Sequence, residues 1–557
     1  MKVKQGRIFT LAGLGFSLAA TVLPIPAGQR RLPAPTGVPP AADLAGVPLP
    51  PKIAHPKIDA RLWLKVRAAG RAGRDVSSAG LTRVVIETSG RVHATPARAG
   101  LSPFRLMIEA FGGTVERISG RYIQALLPPP AVEFLAADPE VERLRLPETP
   151  LPAAVYSEGV ARSGASAWSD LPSYRAPEDP VKIAVLDTGF LGYQTLLGSE
   201  LPSSVVASSF RADGNLAAGT AHGTACAEII HDMAPDAKIY LVNFSTDVEQ
   251  HAAVEYLISE KVDIISYALT WPGAGAGNGT GPICEDVKRC AAAGILWVGA
   301  AGDEAESHWE SAFIDSNGDL FQDFGPGDEI LQWLVPADTW TGATLTWNDW
   351  GTWTGSSYGN PTQDYDMLFW RWNGSAWELL EYCDDWQSGT AGQIPVERTS
   401  LWRTNVATYY GVSILKFDAS VDNTLEIVVQ GNSGAIEYDV PLGSVGIPAD
   451  AAESFSIGAT DAETDVLETF SSRGPTSDGR IKPDLTAFSR VTTAALGPKA
   501  FAGTSAAAPH VAGAVGLLMS KTPYSASQIR TILEGRALDL GAAGRDNLFG
   551  YGRLFLK

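Results

Sequence analysis

Four apolar runs set the strongest limit on what this chain of 557 residues can fold into. VKIAVL (181–186), KIYLVNF (238–244), VDIISYAL (262–269) and GILWVGAA (294–301) are rich in β-branched residues and of buried-strand length. Helical segments around 221–231, 248–260 and 283–293 separate them. Strands alternating with helices predict an α/β fold, a parallel sheet with helices on both faces. SFSIGATD, near residue 457, resumes the same strand style. Two helix patterns, 504–519 and 525–534, close the chain.

Between these parts the composition changes. Residues 304–447 hold 22 Asp/Glu against 4 Lys/Arg, which is nearly all of the chain's net charge of −19. They also hold 11 of the 15 Trp. Their runs, such as ATLTWNDW, YDMLFWRW, VSILKFD and TLEIVVQ, are short, strand-like and parted by turn residues. An all-β sandwich inserted into the α/β domain is expected. The acidic balance argues against nucleic acid as a partner.

The N-terminus is organised differently. Lys2, Lys4 and Arg7, the apolar stretch 8–23 and the small-residue segment 24–27 make the three parts of an export signal over 1–28, with a membrane anchor as the rival reading. No membrane association is expected once the signal is cleaved. Residues 29–79 read as a Pro/Ala-rich linker. In 80–150, RVVIETS and RYIQALLP are strand candidates, and FRLMIEAFGG and PAVEFLAADPEV are helix candidates, giving a small βαβ-type α+β domain. Residues 29–150 are basic, with 17 Lys/Arg against 11 Asp/Glu. Export permits disulfides among Cys226, Cys284, Cys290 and Cys383; Cys284 and Cys290 are the expected pair by proximity, although sequence cannot set the connectivity.

Three residues carry the chemistry. Asp187 ends a strand and precedes Thr-Gly; His222 opens HGTACAEII; Ser505 opens SAAAPHVAGAVGLL. Alone, each has a plain structural role as turn former, cap or packing residue. Together they supply a nucleophile, a base to take its proton, and a carboxylate to fix the tautomer of that base. Groups of this kind gather at the carboxyl ends of parallel strands, and a helix N-terminus at Ser505 favours developing negative charge.

AVLDTG around Asp187, HGTACAEI around His222 and GTSAAAPHVAG around Ser505 resemble the motifs of the subtilisin-like serine proteases (subtilases, peptidase S8), in the family's order. FSSRGPTSDGRIKPDL (470–485) resembles the segment before the family's serine. The resemblance covers roughly 155–303 and 448–557, the two parts of a catalytic domain split by the insert. It implies that Asp187 orients, His222 is the general base and Ser505 is the nucleophile. It implies a secreted enzyme, extracellular or periplasmic, acting on polypeptide substrates with no cofactor for catalysis. The basic 80–150 domain resembles the family's propeptide, an inhibitor and chaperone removed on maturation, with a retained accessory domain as the alternative.

Several positions depart from that pattern. Where the family has an Asn that donates to the oxyanion, this chain has Asp303. A carboxylate has no proton to give. Either Asp303 is protonated and donates, or backbone donors suffice at a reduced rate, or the protein is a weakened relative acting as an extracellular binding module. Thr270 and Trp271 stand where the family has small residues, which narrows the expected substrate pocket. Phe488 stands where Pro is frequent. In the insert, Asp315, Asn317, Asp319 and Asp323 alternate around a glycine, so they either hold a structural Ca²⁺ or form a solvated turn. NPTQDYDMLFWRW resembles β-sandwiches appended to secreted bacterial peptidases. Placed directly after Asp303, the insert is expected to overhang the cleft.

Overall fold

The structure, a computed structural model, describes residues 57–58, 62, 66, 81–89, 103–119, 122–145, 157–390, 392–431 and 435–557. The expected export signal and most of the 29–79 linker lie outside them. The chain forms two compact units, one within 15–153 and one from residue 154 onward.

The smaller unit has four strands, β1 (Thr82–Thr88), β2 (Thr114–Ser119), β3 (Tyr122–Leu127) and β4 (Val141–Arg145), with helices Pro103–Ala110 and Pro129–Ala136. Its sheet order is β2-β3-β1-β4 and every pair is antiparallel. This corrects the βαβ expectation. TVERIS and VERLR escaped the sequence reading because charged residues interrupt their apolar positions, which suits strands covered on one face only. The linker boundary also moves. Ile58, Leu62 and Val66 are buried in the same core as Val84, Ile86 and Leu135. Ile58 bridges to Leu144, and the four-residue spacing of Leu62 and Val66 is one helical turn that the Pro/Ala/Gly composition around it obscured.

The larger unit begins its sheet with β5 (Lys182–Asp187), β6 (Val206–Ser209), β7 (Lys238–Asn243), β8 (Ile264–Tyr267) and β9 (Leu296–Ala300). The chain then builds the insert: β10 (His308–Ala312), β11 (Leu331–Val335), β12 (Trp340–Trp347), β13 (Asp364–Trp372), β14 (Trp377–Cys383), β15 (Val396–Arg398), β16 (Trp402–Arg403), β17 (Thr408–Asp418) and β18 (Thr424–Gly431). It returns with β19 (Phe455–Asp461) and β20 (Leu485–Ser489). The main sheet runs β20-β19-β9-β8-β5-β7-β6, all parallel.

Each face of this sheet has its own core. Ile183 and Val185 of β5 face helices His222–Met233 and Thr504–Lys521. Ala184 and Leu186 face helices Asp247–Glu260 and Pro282–Ala292. A strand buried on both sides has no polar face, which is why these runs are apolar throughout. The insert has two antiparallel sheets, β10-β18-β12-β15 with β16 also on β12, and β11-β17-β13-β14. Trp309, Trp333, Trp347, Tyr365 and Phe369 fill the space between them.

All four cysteines are free and buried. Cys284 and Cys290 lie on one helix, Pro282–Ala292. Six residues of helix separate their Cα atoms by about 9 Å, beyond the reach of a disulfide. Cys284 instead donates to Asp450 Oδ1 at 3.3 Å.

Candidate active site

Asp187, at the carboxyl end of β5, is fully buried. Its Oδ1 accepts from the N–H of Thr188 at 2.7 Å, and its Oδ2 lies 2.7 Å from His222 Nδ1. His222 is the first residue of its helix. A Cβ at Gly223 would come within 2.8 Å of the Gly189 carbonyl and 2.9 Å of Asp187 Cβ, so only glycine lets this helix begin against the end of β5. Burial pulls the His222 pKa down, but the Asp187 charge and hydrogen bond, with the Asp303 charge, hold it above its ordinary value.

Ser505 is the second residue of helix Thr504–Lys521, which starts at Gly503 with φ +117°. A Cβ there would lie 2.6 Å from Asp303 Oδ2. Pro509 lies inside this helix. It has no N–H, so the Ser505 carbonyl lacks the usual donor four residues on. The Cys226 thiol approaches that carbonyl at 3.6 Å. Cys226 also forms, with Asp187 and His222, the one group of three His/Cys/Asp/Glu among the described residues whose ligand atoms lie within 4.8 Å of one another. Burial raises the thiol pKa well above its ordinary value, so it stays a protonated packing group.

Asp187 and His222 are thus in direct contact. Ser505 shares their cleft, and the Phe501 ring near the start of its helix packs on His222 at 5.5 Å. The Ser505 hydroxyl donates to the Ala268 carbonyl at 3.1 Å. Among the described residues it makes no hydrogen bond to His222.

Asp303 lies across from this helix start. Its Oδ1 accepts from both the N–H and the hydroxyl of Thr504, each at 2.8 Å. The residue is open to solvent at the cleft mouth, yet the protein packed around its carboxyl group raises its pKa. The Thr504 donors and His222 oppose that rise. Glu304 is next to it, accepting from Thr270 Oγ1 at 2.7 Å and Ser472 Oγ at 2.9 Å. Burial, helped by the Asp303 charge, pushes Glu304 to about 7. Sequence reading passed over Glu304; its place directly after Asp303 was the available signal.

The insert faces Asp303 across a shared cavity. A cavity of about 910 Å³ has Asp303 and Glu304 on one side and Trp340, Trp350 and Trp353 of the insert on the other. Arg398 reaches the Gly273 carbonyl at 2.6 Å, and the Tyr358 hydroxyl accepts from the Ala276 N–H at 3.2 Å. Both tie the insert to the segment that follows Thr270 and Trp271. Trp271 lines the same cavity, with its indole N–H on Gln250 Oε1 at 3.1 Å and Tyr267 Oη at 2.6 Å. Phe488 fills a buried position. Its buried ring packs edge-on against His510 at 5.4 Å and under Arg553 at 5.0 Å.

In the acidic loop of the insert, the carboxylates turn onto its own backbone. Asp315 accepts from Gly318 and Leu320, Asp323 from Ser316, and Asp319 from Phe321. Asn317 Nδ2 donates to Asp319 and Glu329.

Comparison with known proteins agrees with this geometry. The model of the subtilase family matches residues 178–323 and 391–552, more than half of the chain. The chain is 38% identical over 124 residues to alkaline elastase YaB of Bacillus sp. (strain YaB), covering 22% of this chain and 30% of that protein. It is 36% identical over 138 residues to subtilisin Savinase of Lederbergia lenta, covering 24% and 45%. It is 55% identical over 56 residues to an extracellular serine protease of Serratia marcescens, covering 10% and 5%. The chain thus spans less than half the length of each of these curated relatives. Among solved structures, the CspB protease of Clostridium perfringens superposes with a TM-score of 0.47 at 16% identity, over 71% of this chain and 96% of that one. With the family model spanning both halves of the parallel sheet, and with the Asp-His contact at its centre, the chain belongs to the subtilase family.

Proposed function

We propose that the protein is a secreted serine endopeptidase that hydrolyses peptide bonds through an acyl-enzyme on Ser505. The observation that carries the reading is the 2.7 Å contact of Asp187 with His222 in the cleft that holds Ser505. The Ser505 hydroxyl leaves the Ala268 carbonyl and gives its proton to His222 Nε2 as Oγ attacks the substrate carbonyl. Asp187 steadies the imidazolium, which then protonates the leaving amine. Water repeats the sequence to release the acid. The small basic unit fits the role of a removable inhibitor of this acidic body, and polypeptides are the substrates. The N-terminal signal pattern supports export, in line with the extracellular relative.

Asp303 sets the pH range. Its Oδ1 is held by Thr504, which leaves Oδ2 to carry a proton and donate to the oxyanion together with the Ser505 N–H. The reaction needs His222 neutral and Asp303 protonated. Their mutual attraction favours the opposite pair, imidazolium with carboxylate. Turnover at neutral pH is therefore low. The test is peptide hydrolysis from acid to alkaline pH beside Ser505→Ala. Ser505-dependent hydrolysis that is strongest below neutrality supports this reading. Full activity into alkali would remove Asp303 from the oxyanion site. No Ser505-dependent hydrolysis from a folded, processed sample would make the protein an extracellular binding module instead.

A further inference from the structure

One segment runs from the nucleophile along the cleft. It begins at Ala268, whose carbonyl takes the Ser505 hydroxyl, and passes Thr270, Trp271, Gly273 and Ala274, which line the same cavity as Asp303. It continues as PGAGAGNGTG (272–281), where every second residue is glycine. Gly273, Gly277, Gly279 and Gly281 have positive φ. Such a chain has much conformational freedom to lose and few side chains with which to fix itself. Its shape is therefore set by what grips it.

The body grips it at 276–279. Asp450 Oδ2 accepts from the Gly279 N–H at 2.7 Å. Ser477 gives its hydroxyl to the Ala276 carbonyl at 2.6 Å and its N–H to the Gly277 carbonyl at 3.0 Å. The insert grips it at Gly273, Ala276 and Thr280. Arg398, at the end of β15, takes the first of these. Tyr358, between β12 and β13, takes the other two. Its hydroxyl accepts from the Ala276 N–H at 3.2 Å and lies 3.1 Å from Thr280 Oγ1. The Thr280 hydroxyl gives its own proton to Asn278 Oδ1, so Tyr358 is the donor to Thr280. One hydroxyl thus pins the segment at two points, accepting at one and donating at the other. The fit is close: a Cβ would lie 2.9 Å from the Tyr358 oxygen at Gly275 and 2.8 Å from it at Gly281. Trp350 and Trp353 flank the Tyr358 ring, each with its centroid 4.8 Å away. Burial raises the Tyr358 pKa, so the hydroxyl keeps its proton.

We infer that Tyr358 is a positioning residue for peptide hydrolysis: its hydroxyl fixes the glycine-rich segment that shapes the cleft beside Ser505. The inference rests on the endopeptidase reading above. Tyr358 belongs to the insert, so the insert completes the cleft of the body and is needed for its full rate on peptides.

The test is Tyr358→Phe in the full chain, after any processing it undergoes. Its control is Tyr409→Phe, which removes the hydroxyl of an exposed tyrosine on β17. Active serine is counted with a fluorophosphonate, so every rate refers to folded enzyme. Two substrates are compared: a hexapeptide, long enough to lie along the segment, and a single-residue ester, which reaches only the surroundings of Ser505. Tyr358→Phe is expected to lower kcat/KM about tenfold on the hexapeptide and less than about threefold on the ester. Hydrogen exchange at the Ala276 amide, which loses its acceptor, is expected to quicken about tenfold. Tyr409→Phe should match the parent in all three readings. An equal loss on both substrates would make Tyr358 a general support of the fold and sink the inference. An unchanged hexapeptide rate, or unchanged exchange at Ala276, would sink it while leaving the endopeptidase reading intact. No Ser505-dependent hydrolysis by the parent would bring down both.

Discussion

The α/β body and the inserted sandwich are both well-packed, but they are built on opposite rules. In the body, strands buried on both faces leave no room for polar side chains, so chemistry is pushed to the ends of strands and the starts of helices. Asp187, His222 and Ser505 all stand at such ends. In the insert, antiparallel strands alternate inward and outward residues, so each strand can present polar groups along its length. Glu310 and Glu426 reach a second cavity, of about 390 Å³, from the middle of strands. The body therefore concentrates its candidate site groups at one place, and the insert spreads charge over a wall.

The sharpest way to break this division is at Ser505. Ser505→Ala is expected to reduce turnover by about 10⁶-fold with little shift in the unfolding midpoint, because the only bond its hydroxyl makes among the described residues is the one to the Ala268 carbonyl. Appreciable residual hydrolysis would place the chemistry elsewhere.

A body residue of the opposite kind is Asp484. It is 1% exposed and pairs with Lys482 at 2.7 Å, Arg545 at 2.7 Å and Arg530 at 3.2 Å. Asp484→Ala leaves three cations without their shared partner and is expected to cost about 3–5 kcal/mol. Denaturant unfolding reads that loss, and a change under 1 kcal/mol would show that solvent already screens the group.

Asp303→Asn tests the departure from the family pattern that bears on the expected oxyanion site. It restores a neutral donor, and it removes a charge that raises the His222 pKa. Turnover near neutral pH is expected to rise by about 10²-fold or more, and the acid limb of kcat/KM to move to lower pH. An unchanged acid limb would separate Asp303 from His222.

The smallest effect lies in the insert, at His308 and Glu426. Burial alone would lower His308, but Glu426 and the Val440 carbonyl raise its pKa above the ordinary value, and Glu426 lies below its own. The His308 contribution is present below its unfolded pKa and fades as pH rises through the higher folded value. The Glu426 contribution is present above its unfolded pKa and fades as pH falls through the lower folded value. The insert should therefore lose stability as pH rises above the ordinary histidine range, about 6.5, through the raised folded value of His308. Tryptophan emission reports it selectively, since 11 of the 15 Trp lie there. His308→Gln should flatten that slope, and a slope equal to the parent's would remove the pair from the account.

Much of this was legible before the structure. The apolar runs fixed the parallel sheet, because only strands covered on both faces carry such sequences, and the Trp-rich acidic stretch marked the insert by its change of composition. The motifs around Asp187, His222 and Ser505 announced themselves by their small residues: Gly223 and Gly503 stand where a Cβ would collide with neighbouring backbone or with Asp303. Half-buried elements were harder. β2 and β4 mix charges with apolar residues, and Leu62 and Val66 sit in a stretch whose composition reads as linker. What only the tertiary structure decided are the partners. The Ser505 hydroxyl meets a carbonyl 237 residues away, Asp303 meets Thr504 across 201, and Glu304, Glu310 and Glu426 meet around one cavity from separate elements. A sequence records which residues each element carries. Which of them come face to face depends on how elements distant in the chain pack, and local pattern contains no record of that.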